Sequence, residues 1–141
     1  MYQRYLNDYT KSIMSVDDNI GRVLDYLKAN NLDQSTLIIY TSDQGFFTGE
    51  HGWYDKRFMY EPSLAIPLVV RYPKALQAGQ KNQVMVQNVD LAPTILDYVG
   101  APIPADMQGT SLKPILEGDT ADNRESIYYH YYQSTGWHTV P

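Results

Sequence analysis

Cysteine is absent from the 141 residues, which excludes disulfides, thiolate metal ligands and a cysteine nucleophile within this chain. No apolar run approaches the roughly 18 residues of a membrane-spanning helix, and the residues after Met1 do not read as a signal peptide. Positive charge is scarce: Lys and Arg total 11 against 16 Asp and Glu, giving a net charge of -5. General nucleic-acid binding, which calls for a basic patch, is therefore disfavoured. Attraction for an anionic ligand must instead be local. Phe and Trp are few, at 3 and 2, whereas Tyr reaches 13. Tyr joins apolar area to a polar tip and suits sugar-like ligands, although half-buried strand and helix positions account for most of such a set. A hydrophobic fraction of 43% fits a globular chain with the length of one domain or a piece of a larger one.

Residues 5–28 carry a helical period. Tyr9, Ile13, Val16, Ile20, Val23, Leu24 and Leu27 recur at steps of three and four, and Asn30-Asn31 supplies a stop. The apolar run 36–41 predicts a strand, and its lack of alternation predicts a parallel one covered on both faces. Pro67–Tyr72 reads as a second buried strand, with a short helical turn around Met59–Leu64 before it. Val84–Val86 reads as a short strand or extended segment. Asp90 is placed to cap a helix running from Leu91 to Val99 and closing on Gly100. Leu112–Leu116 forms a further helical turn ended by Gly118, and Ile127–Tyr132 is predicted as a strand. This order of elements suggests a layered α/β architecture.

The chemistry gathers in residues 37–58, LIIYTSDQGFFTGEHGWYDKRF. In α/β proteins ligands bind beyond the carboxyl ends of strands. Asp43 and Gln44 stand at such an end with hard oxygen donors suited to a divalent metal, although Asp and Gly are also ordinary turn residues. Two donors leave a Ca²⁺ shell of roughly six to eight oxygens incomplete. Lys56 is either a solvated surface residue or an ammonium that neutralises a sulfate or phosphate oxygen. His51 is a hydrogen-bond donor to the same anion, a general acid for a leaving alcohol, or a loop histidine stacked on Trp53 or Tyr54. Arg57 is expected to pair with Asp55 or Glu61. His130 reads as structural, His138 as a loop residue able to line a carbohydrate site, and Asp97 as a helix-face charge.

The stretch TLIIYTSDQGFFTGEHGWYDKRFMYEPSLAIPLVVRYP, followed by VQNVDLAPTILDYVGAPIP and MQGTSLKPIL, resembles the sulfatases of the alkaline phosphatase-like superfamily. The nearest flavour is the branch acting on sulfated glycans, such as N-acetylglucosamine-6-sulfatase-like enzymes, and the resemblance runs over essentially the whole chain. It implies a three-layer α/β/α sandwich of which this chain is the C-terminal portion. Residues 1–120 would belong to the catalytic domain, and 121–141 would be a linker and the start of the C-terminal subdomain. It implies hydrolysis of sulfate esters on a carbohydrate substrate. Asp43 and Gln44 would be ligands to Ca²⁺, Lys56 would contact the sulfate, and His51 would lie in a loop shaping the substrate pocket. Family enzymes attack sulfur with a hydrated formylglycine made from Cys or Ser in a C/S-x-P/A-x-R motif, and they act in the periplasm, outside the cell or in the lysosome.

This chain departs from that pattern. No serine is followed at the right spacing by Pro or Ala and then Arg, and the first acidic pair of metal ligands is also lacking. The expectation is a fragment holding half of the Ca²⁺–sulfate site, needing the N-terminal part of a sulfatase domain and inactive alone. Two rivals remain open. One is a phosphodiesterase or phosphatase of the same superfamily, which would use a Thr or Ser nucleophile and two metals with His ligands. The other is a non-catalytic carbohydrate-binding or assembly module, supported by the Tyr- and Trp-rich tail.

Overall fold

The helical period of the first thirty residues becomes α1, Tyr2–Ala29, in a computed structural model that describes residues 1–119 and 124–130. The chain divides into two compact units, Met1–Lys74 and Ala75–Pro141. In the first unit α1 ends as expected. Asn30 Nδ2 donates to the Tyr26 carbonyl at 2.8 Å, Asn31 takes a left-handed φ of 57°, and Lys28 places positive charge at the helix's negative end. No residue of α1 is fully buried. Its apolar stripe, including Val16, Ile20, Val23 and Leu24, faces Ile38 and Ile39 across an open groove of about 420 Å³.

Strand β1, Ile38–Thr41, lies inside the expected run. Its partner is β4, Leu68–Arg71, and the pairing is antiparallel, with Ile38 opposite Arg71 and Thr41 opposite Leu68. The expectation of a parallel, doubly covered strand is corrected on both counts, since Tyr40 and Val69 are exposed. An unbroken apolar run reports that both faces can meet apolar surroundings; it does not fix the direction of the neighbouring strand. Arg71 fastens this sheet to the turn after α1, donating to the Asp33 carbonyl at 2.5 Å.

The polar loop between these strands is itself ordered. β2, Phe47–Thr48, pairs antiparallel with β3, Tyr54–Asp55, around a 3₁₀ turn at Glu50–Gly52. Phe47 is wholly buried and packs edge-on against Trp53 (5.6 Å), Phe58 (6.3 Å) and Tyr60 (6.3 Å). The short helix α2, Glu61–Leu64, follows, with Pro62 in its first turn.

In the second unit Val84–Val86 forms no strand. Helix α3, Leu91–Tyr98, is followed by Gly100 at φ 71°, and α4 spans Lys113–Leu116. Residues 127–130 also form no strand, while 131 and 132 lie outside the described residues.

Asp90 organises this unit differently from its expected role. It precedes α3 but makes no side-chain cap to it. Its wholly buried carboxylate turns back to the Gln87 N–H at 2.8 Å and across to the Thr110 N–H at 3.0 Å. Arg124 grips both of its oxygens, at 2.6 and 2.9 Å. Thr94 extends the network, donating to the Asp90 carbonyl at 2.6 Å and accepting from the Leu112 N–H at 2.8 Å. Asp97 accepts from Ser111 Oγ at 2.6 Å and Lys113 Nζ at 3.2 Å, donors that hold its carboxyl below the usual range.

Burial pushes the Asp90 carboxyl up, but donation from Arg124, Thr110 and Gln87 outweighs it and leaves the group below the usual carboxylate range. A lowered folded value means stabilisation that is complete above about pH 4, the unfolded value, and lost as pH falls through the folded one. Asp90→Asn is expected to cost about 3 kcal/mol near neutral pH, the low end for a broken buried pair because Arg124 keeps some contact with water. Denaturant unfolding from pH 7 to 2 checks this, with the two proteins expected to converge at the acid end.

Candidate functional site

Strand β1 delivers Ser42, Asp43, Gln44 and Gly45 at its carboxyl end. Ser42 Oγ reaches Asp43 Oδ1 at 3.1 Å and the Gln44 carbonyl at 3.2 Å, and the Gln44 N–H donates to the same Asp43 oxygen at 3.0 Å. Local donors thus orient an exposed carboxylate beside a half-buried glutamine. Gly45 is a close-approach position. A Cβ there would lie 2.2 Å from the Pro62 carbonyl oxygen and 2.9 Å from that of Ala65, so only glycine lets the corner reach α2.

Lys56 follows β3. Its N–H donates to Asp55 Oδ1 at 2.8 Å, its carbonyl accepts from Ser63 Oγ, and its side chain is exposed. Asp55 is at φ 108°, a left-handed value uncommon for a non-glycine residue. Its other carboxylate oxygen pairs with Arg57. Arg57 therefore takes Asp55 rather than Glu61, the first of the two expected partners.

The corner and the Lys56 segment share a support that sequence reasoning missed. Ser63, 3% exposed, accepts from the Gly45 N–H through its carbonyl at 2.9 Å and donates to the Lys56 carbonyl through its hydroxyl. The only sequence signal was Pro62 at the start of a short helical turn, which says nothing of what Ser63 touches.

His51 is placed by rings. Tyr60 (5.5 Å), Trp53 (5.9 Å) and Phe47 (6.4 Å) surround it, which realises the expected neighbour Trp53 and exchanges Tyr54 for Tyr60. It sits at φ 57° between Gly49 and Gly52, at 128° and 76°. Glu50 pins this turn by accepting from the Thr48 N–H at 2.6 Å and the Thr48 hydroxyl at 3.0 Å. Backbone donation, from its own N–H and then from Thr48, lowers the Glu50 carboxyl. His130 stacks on Tyr128, ring centroids 6.2 Å apart, and His138 lies outside the described residues. Among the described residues no group of three or more His, Cys, Asp or Glu could hold a metal. Any ion held at Asp43 and Gln44 needs oxygens beyond these two.

Residues 49–141 match the family described as N-sulphoglucosamine sulphohydrolase, C-terminal. The chain belongs to this sulphohydrolase family. The N-acetylglucosamine-6-O-sulfatase of Bacteroides thetaiotaomicron is 54% identical over 143 residues, covering 99% of this chain and 25% of that protein. Human N-acetylglucosamine-6-sulfatase is 37% identical over 128 residues, covering 89% of this chain and 23% of that protein. This sulphohydrolase-family chain thus spans about a quarter of the length of the curated relatives it matches. A solved structure described as a complex with its substrate D-glucosamine-2-N,6-O-disulfate superposes with a TM-score of 0.89 at 54% identity, covering 96% of this chain and 28% of that one. A phosphonate monoester hydrolase from Silicibacter pomeroyi superposes at 0.69 with 38% identity, covering 74% of this chain and 20% of that one. The α/β class expected from the sequence, that of the alkaline phosphatase-like sulfatases, stands.

Gly45→Ala is expected to cost about 1–3 kcal/mol, the range for forcing a methyl into packed surroundings. The unfolding midpoint measures it; an unchanged midpoint would mean that α2 yields at no cost.

Proposed function

We propose that this chain supplies one wall of the active site of a sulfuric ester hydrolase that removes sulfate from a sulfated carbohydrate, with sulfated glucosamine as the substrate class. The observation that carries the reading is the fastening of two chemically different groups to one buried residue. Gly45, directly after the oxygen donors Asp43 and Gln44, and the ammonium-bearing segment of Lys56 are both bonded to Ser63. The names of the glucosamine-sulfatase relatives support the substrate class.

Asp43 and Gln44 fit Ca²⁺ by donor chemistry, a carboxylate and an amide carbonyl giving part of an all-oxygen shell. Bound there, the ion would supply positive charge that draws electron density from a sulfate oxygen. The remaining roles belong to this chain's own side chains. Breaking the S–O bond of a sulfate ester moves negative charge toward the leaving oxygen, and the exposed Lys56 ammonium, which no described residue engages, is available to contact the sulfate and meet that charge. His51, exposed on the turn between Gly49 and Gly52, is assigned as a donor to the substrate. No residue here matches the C/S-x-P/A-x-R motif, so the 141-residue chain alone is expected to show no turnover. We assign residues 1–120 to the catalytic domain and 121–141 to the passage into the next subdomain, with the whole protein acting outside the cytoplasm.

The similarity to the phosphonate monoester hydrolase favours a second reading, phosphoryl ester hydrolysis on the same frame. Gln44 weighs against it, since an amide oxygen suits a single hard cation better than a pair of transition metals.

In the intact enzyme bearing this sequence, Lys56→Ala and Asp43→Ala are each expected to lower kcat/KM on 6-O-sulfated N-acetylglucosamine by about 10²–10³, the scale for removing one stabilising charge or donor. Steady-state assays on that substrate and on a phosphonate monoester check both readings. Wild-type rates in both variants, or preference for the phosphonate, would overturn the sulfatase assignment.

A further inference from the structure

We infer that Ser63 is a positioning residue that holds Lys56 in its working place relative to the Asp43–Gln44 corner. The inference rests on the reading of Lys56 as the sulfate-contacting group. A lysine has a long flexible stem, so where its ammonium can reach is set by where its backbone is fixed. The Lys56 backbone is fixed on one side by its neighbour Asp55 and on the other by the Ser63 hydroxyl, seven residues away in sequence. Ser63 is itself held rigidly: its N–H donates to the Tyr60 carbonyl at 2.9 Å, and its carbonyl receives the Gly45 N–H at 2.9 Å. It is among the few polar residues that are buried, so water does not compete for these bonds. A single residue thus joins the backbone of the proposed clamp to the backbone two positions beyond Asp43. Misplacement by about 1 Å is enough to cost about 10²-fold in rate, which makes such a joint consequential for catalysis even though Ser63 touches no substrate.

The two bonds can be separated. Ser63→Ala removes the hydroxyl bond to Lys56 and leaves the backbone bond to Gly45 in place. In the intact enzyme, Ser63→Ala is expected to lower kcat/KM about 10-fold and to weaken binding of inorganic sulfate by a similar factor, measured by calorimetry. In a Lys56→Ala background the same change should have less than about a 2-fold effect on either quantity. Equal losses in the two backgrounds would mean a merely structural role and overturn the inference, as would no loss with Lys56 present. Lys56→Ala by itself tests the underlying reading: if it is harmless, Lys56 is not the clamp and this inference falls with it. If Lys56→Ala is damaging and Ser63→Ala is not coupled to it, only the role of Ser63 is wrong. Should Ser63→Ala fail to fold, Ser63→Cys, close in shape and a weak donor, is held to the same coupling criterion.

Discussion

A hydroxyl in water exchanges partners freely and fixes nothing, whereas one shielded from water holds its acceptor in place because no equivalent partner competes. Ser63 is in the second situation, 3% exposed between β1 and the end of the β2–β3 hairpin. The rest of the first unit's site is arranged around it. Gly45 can approach only because it lacks a Cβ, Pro62 starts the turn that presents Ser63, and Lys56 ends the hairpin where the hydroxyl can reach its carbonyl. The second unit uses the same device at Asp90, where one buried side chain collects donors from three separate stretches of chain. Each unit therefore has a small apolar core and relies on a buried polar connector to set distances that apolar packing alone would leave loose.

The charge distribution gains meaning from this arrangement. A net charge of -5 opposes anion binding at long range, yet several carboxylates are spent on structural cations. Asp33 pairs with Arg71, Asp55 with Arg57, Asp97 with Lys113 and Asp90 with Arg124. These pairs neutralise both partners locally and, among the described residues, leave Lys56 outside any ion pair. An anion reaching Lys56 would meet a nearby ammonium rather than the average charge of the chain.

Much of the first unit was legible from residue pattern. The three- and four-step spacing of Ile13, Val16, Ile20 and Val23 gave α1, and the apolar runs gave β1 and β4 because both signals depend only on local periodicity. The direction of the β1–β4 pairing was not legible, since apolar continuity carries no information about orientation. The β2–β3 hairpin was hidden by its length, two residues a strand, and by its charged sequence. Ile127–Tyr132 shows the opposite failure: strong β-formers at 127–130 that take no strand, because propensity needs a partner edge to act on. In the candidate site, Asp43, Gln44 and Lys56 stood out through their chemistry and their place after strands. Ser63 did not, because a bridging serine has the same sequence signature as any turn serine.

The left-handed residues of the hairpin carry a consequence for reading its relatives. Gly49, His51, Gly52 and Asp55 all have positive φ, so the backbone reverses hand repeatedly within one short segment. Evolutionary drift there is limited to residues that tolerate that hand, chiefly Gly, Asn and Asp, whatever the ligand. Invariance at 49, 52 or 55 across a family would therefore be expected from chain geometry by itself. Lys56, whose backbone carries no such demand, is the position where invariance would speak of chemistry.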